Sequence, residues 1–123
     1  MEKLTQKEEE VMLILWKIEK GFVKDVINEL EGEKPPYNTI SSLVRLLVKK
    51  EYVGFKQYGN TYEYFPIVDK KDYRKSIFKR MLENYFEGSY KNVASFIAKE
   101  NNIEKDKIDE LLKIIEKNDK SGK

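Results

Sequence analysis

Neither cysteine nor histidine occurs anywhere in the 123 residues, and these two absences remove much of protein chemistry at once. Disulfides, thiol nucleophiles, thiol redox sensing, imidazole general bases and the usual soft or borderline metal sites are all excluded. Long hydrophobic runs are missing too. The longest, Val11-Met12-Leu13-Ile14-Leu15-Trp16, is far too short to span a bilayer. The N-terminus, broken by Lys3, Gln6, Lys7 and three glutamates, does not read as a signal peptide; a cytoplasmic protein is expected. There is no phosphate-cradling glycine loop, no serine paired with a base and no distinctive carboxylate pair, so neither an enzyme nor a cofactor is expected. Strong charge of one sign is lacking as well: the net charge is +2, which by itself does not argue for nucleic acid.

What is present is a charged, foldable composition, 37% charged and 40% hydrophobic, with room for one standard domain or two small ones. The charge is unevenly placed. Between Lys34 and Gly59 the cations Lys34, Arg45, Lys49, Lys50 and Lys56 meet only Glu51 among acids. The Glu8-Glu9-Glu10 run near the N-terminus would repel phosphate, so a surface for nucleic acid belongs to the middle third.

Hydrophobic periodicity predicts mainly α structure with one small β-hairpin. Thr5 with Glu8 three positions on forms a capping box, and Val11, Ile14, Leu15 and Ile18 give the stripe of a first helix ending at Gly21, with Trp16 in the core. Phe22 and Val23 suit a short edge strand, and Val26, Ile27 and Leu30 a second helix. Gly32 to Pro36 makes a turn, and a third helix follows with Ile40, Leu43, Val44 and Leu47 on one stripe. Its other side carries Asn38, Ser41, Ser42, Arg45 and Lys49. After Lys50 the period drops to two: residues 53–58, a Gly59-Asn60 turn and residues 61–65 form an aromatic-rich hairpin closed by Pro66. Helix, turn, polar-faced helix and hairpin make a winged helix-turn-helix over residues 1–67.

The remainder, residues 68–123, reads as three helices. Asp69 caps a long one bearing Ile77, Phe78, Met81, Leu82, Tyr85 and Phe86, and the last carries Ile108, Leu111, Leu112 and Ile115. A stripe built of adjacent apolar pairs is wider than one supporting surface needs, which suits dimerisation with a second copy. The alternative is a helical extension folded back on its own N-terminal part.

The candidate DNA contacts are Asn38, Thr39, Ser41, Ser42, Arg45, Lys49, Lys56 and Asn60. An amide, hydroxyls and a guanidinium can meet base edges and phosphates. Each has a plainer use: Asn38 or Thr39 as a helix cap, Lys49 and Lys50 as partners of the helix dipole. Tyr58, Tyr62 and Tyr64 are expected to pack on the helices rather than to offer a single-strand stacking platform, and Tyr37 suits either role.

The residues Leu4-Thr5, Glu8-Glu9-Glu10-Val11-Met12, Leu15-Trp16, Asn38-Thr39-Ile40, Leu43-Val44-Arg45, Lys49-Lys50-Glu51-Tyr52-Val53 and Tyr62-Glu63-Tyr64-Phe65-Pro66 together resemble the penicillinase-repressor and methicillin-repressor family, which includes copper-responsive repressors. The likeness runs over residues 3–118. It implies a homodimeric winged-helix repressor on a palindromic double-stranded operator, held together by C-terminal helices. It further implies relief by cleavage under a membrane-bound sensor metalloprotease, between an asparagine and a phenylalanine in the antibiotic-resistance members. The matching positions here are Ser95 and Phe96, so that bond is an expectation without a direct motif match. Those members carry arginine where this chain has Ser41, and another near Leu46, so a different operator is expected. Without cysteine, copper sensing through the cysteine-rich tail of the copper-responsive branch is excluded. A winged-helix module that binds another protein and touches DNA weakly or not at all is the competing expectation.

Overall fold

The computed structural model describes residues 1–102, 104, 106, 107, 109, 110 and 112–114. Its order is α1 (Gln6–Ile18), α2 (Val23–Glu29), α3 (Tyr37–Lys49), β1 (Val53–Tyr58), β2 (Thr61–Pro66), α4 (Lys70–Phe86) and α5 (Tyr90–Asn101), which is mainly α with a β-hairpin. The chain divides into two compact units, Met1–Tyr73 and Arg74–Lys123.

In the first unit α1 starts at the capping box. Glu8 N–H donates to Thr5 Oγ1 at 3.2 Å while Thr5 N–H donates to Glu8 Oε1 at 2.8 Å, satisfying two groups that the helix cannot pair internally. The helix stops before Gly21: Glu19 takes the positive φ of 71°. Gly21 has another task, pairing its backbone with Tyr64 in an isolated bridge, where an added Cβ would lie 2.8 Å from Ile18 Cδ1. The expected edge strand at Phe22-Val23 therefore contracts to this one residue, because Val23 already begins α2.

Val11, Met12, Leu15, Val23, Val26, Ile40, Val44, Leu47, Tyr52 and Val53 form the core with Tyr64 and Tyr73. Trp16 is half-buried: its indole N–H donates to Val68 O at 2.9 Å and its ring packs 5.4 Å from Tyr73. α3 ends in a double turn of hydrogen bonds, Glu51 N–H to Val48 O and Tyr52 N–H to Leu47 O, both 3.0 Å. This is a Schellman ending, and it places Glu51 at φ 65°. A left-handed L-residue costs roughly 1–2 kcal/mol, partly offset by the greater unfolded-state freedom of glycine. Glu51→Gly is accordingly expected to stabilise by about 0.5–1 kcal/mol, seen as a higher denaturation midpoint at unchanged m-value.

Strands β1 and β2 pair antiparallel, Phe55 opposite Tyr64 and Gln57 opposite Tyr62. Gly59 at the turn carries φ 60°, which hairpin turns with a left-handed first central residue require. Phe65 lies over Gly54, its Cζ only 2.7 Å from where a Cβ would sit.

Within the second unit Leu82, Val93 and Ala94 are buried. Gly88, at φ 75°, separates the helices, and Ser89 Oγ caps α5 by accepting from Asn92 N–H at 3.1 Å. Phe78 stacks on Tyr90 and Phe86 meets Phe96 edge-on. Leu82 is thus committed to the packing of its own chain, whereas Ile77, Phe78 and Tyr85 are exposed and Met81, Phe86 and Leu112 half-exposed. Ile108, Leu111 and Ile115 lie outside the described residues. No helix among the described residues is long and apolar enough to cross a membrane.

Candidate nucleic-acid interface

The stripe of α3 goes inward as its spacing demands: Ile40, Val44 and Leu47 are buried, with Leu43 and Val48 packed at the edge of the core. At about 1.5–3 kcal/mol per buried aliphatic side chain, this face fixes the helix's rotation and so determines which residues remain outside.

The N-cap of α3 is Pro36, without a side-chain cap bond. Asn38 and Thr39, expected as caps, sit instead in the first turn, where Thr39 N–H and Ile40 N–H both reach back to Pro36 O. Proline's fixed φ starts the helix, so the two polar side chains are not consumed in capping and both are exposed.

One flank of α3 faces the hairpin across a groove of about 500 Å³. Tyr37, Asn38, Ser41 and Arg45 line it from the helix side and Asn60, Thr61, Tyr62 and Tyr64 from the hairpin, with Lys24 and Asp25 of α2 at its edge. Burial raises the Tyr64 phenol above its ordinary value, against the pull of the Arg45 guanidinium. Asp25 is tied back, accepting from Phe22 N–H at 2.8 Å.

Here the structure corrects the reading of Ser41. It is 7% exposed, at the border of the buried stripe on the side that the hairpin covers, so it lines the groove instead of facing outward. Ser42, Arg45 and Lys49 are exposed. On the hairpin, Lys56 is exposed and its ammonium lies 5.2 Å from the Tyr58 ring centre. Asn60 is exposed at the tip, beside Thr61, whose hydroxyl donates to Tyr58 O at 2.9 Å.

The expectation that all three hairpin tyrosines pack on the helices holds only for Tyr64. Tyr58 and Tyr62 are 45% and 40% exposed. Opposed residues of an antiparallel pair share a face, which puts Phe55, Tyr62 and Tyr64 together. Tyr62 and Phe55 extend this face beyond the helices and brace one another edge-on, ring centres 5.4 Å apart.

Lys50 is not available to a ligand as Lys49 is. Its ammonium meets Glu8 Oε1 at 2.7 Å. The acidic run is likewise used internally: Glu8 is 1% exposed, and Glu9 Oε2 accepts from Tyr73 OH at 2.7 Å. Only Glu10 of the three is exposed. Thr61, at the shoulder of the hairpin where a backbone contact is expected, lines the groove, as does Tyr37, whose role the sequence leaves open. Sequence reasoning missed Tyr62 as a groove residue, since nothing local indicates which flank of α3 the hairpin will face.

Comparison with known proteins agrees with this geometry. The penicillinase repressor family model matches residues 4–117. The methicillin resistance regulatory protein MecI of Staphylococcus aureus (strain N315) is 27% identical over 116 residues, covering 93% of this chain and 94% of that protein. The solution structure of the DNA-binding domain of the repressor BlaI matches with 30% identity and a TM-score of 0.51, over 59% of this chain and 94% of that one. The complex structure of hsRosR-S4, at 19% identity, shares the fold with a TM-score of 0.54, over 80% of this chain and 90% of that one.

Proposed function

Because the chain belongs to the penicillinase repressor family of DNA-binding, winged-helix transcriptional regulators, we propose that it represses transcription as a homodimer on a palindromic operator. Residues 1–67 would bind DNA and residues 68–123 would hold two copies together. The observation that carries this reading is the division of α3 into a buried aliphatic face and an exposed face made mostly of short polar groups and cations, beside a hairpin whose tip offers Asn60 and whose strand offers Lys56. In this reading each subunit places α3 in a major groove. Asn38, Ser42 and Arg45 approach base edges, while Lys49, Lys56 and Asn60 meet sugar-phosphate. Thr39 adds a hydroxyl in the first turn, where unpaired N–H groups favour phosphate. Two-fold symmetry makes the site palindromic, and an operator overlapping a promoter would exclude polymerase.

Binding-site selection from randomised duplex DNA, with the bound species sized by light scattering, tests this directly. A palindrome bound by a dimer is the expected result. A monomer, or recovery of no motif, would point to a protein-interaction module instead. Arg45→Ala is expected to weaken operator binding by about 1–3 kcal/mol and relax preference at one position per half-site; an unchanged preference would remove Arg45 from base reading.

Relief by proteolysis at Ser95-Phe96 completes the proposal. The bond lies within α5, with Phe96 52% exposed, so cleavage requires α5 to open locally first. Mass spectrometry after incubation with the cognate sensor protease should find this cut. An intact chain would exclude it.

A further inference from the structure

The grooves on either side of α3 define which of its residues project furthest. Tyr37, Ser41 and Arg45 line the flank towards the hairpin. Thr39, Ile40 and Leu43 line the opposite flank, against Lys7, Glu10 and Leu30. Between these flanks, at helical spacings of four, four and three, run Asn38, Ser42, Leu46 and Lys49, all exposed. They form the crest of the helix, the line that enters a groove most deeply. Three are polar or charged. Leu46 is aliphatic and 46% exposed, although the buried stripe of the same helix is already complete without it.

A solitary exposed leucine on a solvated helix needs no explanation. Leu46 differs by its place, with Ser42 one turn before it and Lys49 one turn after it on the surface that the proposed function puts in the major groove. Leucine has neither donor nor acceptor, so it cannot read a hydrogen-bonding pattern. The one apolar group displayed along major-groove edges is the thymine C5-methyl. Against guanine, adenine or cytosine edges the same side chain would desolvate O6, N7 or amino groups without replacing their hydrogen bonds. From this arrangement we infer that Leu46 is a specificity-determining residue that reads one thymine methyl in each half-site, between a hydrogen-bonding contact from Ser42 and a cationic contact from Lys49. The inference rests on the DNA-binding reading given above and extends it to a defined base chemistry.

The test uses full-length protein and the duplex recovered by site selection, with each thymine replaced in turn by deoxyuridine, which lacks only the methyl. Fluorescence anisotropy should show one thymine position per half-site where the replacement weakens binding about fourfold, and about fifteenfold when both half-sites are changed. Leu46→Ala should bind more weakly and lose this dependence, whereas Leu46→Met, retaining an apolar tip, should keep it. Selection with Leu46→Ala should return a motif degenerate at that position. A flat deoxyuridine scan, or a methyl dependence unchanged in Leu46→Ala, would overturn the assignment while leaving the repressor reading intact. Absence of any sequence-preferring binding would remove the premise itself.

Discussion

Tyr85→Asp is expected to lower affinity for a palindromic operator by about 10²–10⁴-fold while leaving affinity for an isolated half-site unchanged. The side chain is 79% exposed in the single chain, so an aspartate there disturbs little within one copy, within about 0.5 kcal/mol for a surface site. Ile77 and Phe78, about two turns earlier on α4, are each 38% exposed, and with Tyr85 they present apolar surface that the described residues leave partly uncovered. If a second copy covers that surface, two aspartates enter the interface without partners, and burying unpaired charge is heavily unfavourable. The monomer then binds each half-site independently and forfeits the high effective concentration that a linked partner supplies. Sedimentation equilibrium should report monomers, and anisotropy titrations on full and half operators should converge. A variant that stays dimeric with unchanged operator affinity would place the interface elsewhere.

Most of the fold was legible because local signals agree with one another. Thr5 and Glu8 announce the start of α1, the two prolines before Tyr37 enforce a turn and then a new helix, and the change of period after Lys50 marks the hairpin. Ile40, Val44 and Leu47 declare the inner face of α3, which is why Ser42, Arg45 and Lys49 were correctly placed outside. The failures share a cause. Ser41, Tyr58 and Tyr62 each depend on which element lies alongside, a property of tertiary packing that periodicity does not encode. Ser41 is covered because the hairpin faces that flank. Tyr62 is left partly open at the end of the face that Tyr64 buries, and Tyr58, opposite Thr61, lies on the other face of the hairpin, its ring 6.0 Å from Phe22. The end of α1 was misread for a related reason: Glu19 adopts the positive φ, and sequence rules look for glycine there and find it at Gly21. Leu46 was passed over because periodicity identifies where apolar residues should be, not what an additional one on the wrong side is for.

The ion pair between Glu8 and Lys50 gives the other large expectation, a stability loss that is greatest at neutral pH and narrows on acidification. Glu8 sits 1% exposed, and its Oε2 has no hydrogen-bond partner among the described residues. Burial pushes its carboxyl upward, but the Lys50 ammonium and the Thr5 hydrogen bonds outweigh this and hold it below the ordinary value of 4.5. Lys50 is raised in turn, chiefly by its hydrogen bond to Glu8. A carboxyl depressed in the folded state contributes stability that is present above 4.5 and lost as pH falls through the lowered value. The wild-type chain should therefore lose stability on that acid limb. Lys50→Met removes the ammonium while keeping most of the aliphatic stem, leaving burial opposed only by Thr5. The carboxyl is then expected to titrate higher than in the wild-type chain, so the variant should lose less stability than wild type as pH falls along the acid limb. At neutral pH its thermal midpoint should drop on the order of 10 °C, since an unpaired carboxylate remains inside. Because Lys50 closes α3 and Glu8 belongs to α1, the same pair pins the end of the proposed recognition helix to the body of its domain. Operator affinity should fall with the midpoint, and the gap from wild type should narrow along the acid limb. Thermal melts of both proteins from pH 4 to 8 decide the matter: coincident curves would mean that the pair contributes nothing to holding α3 in place.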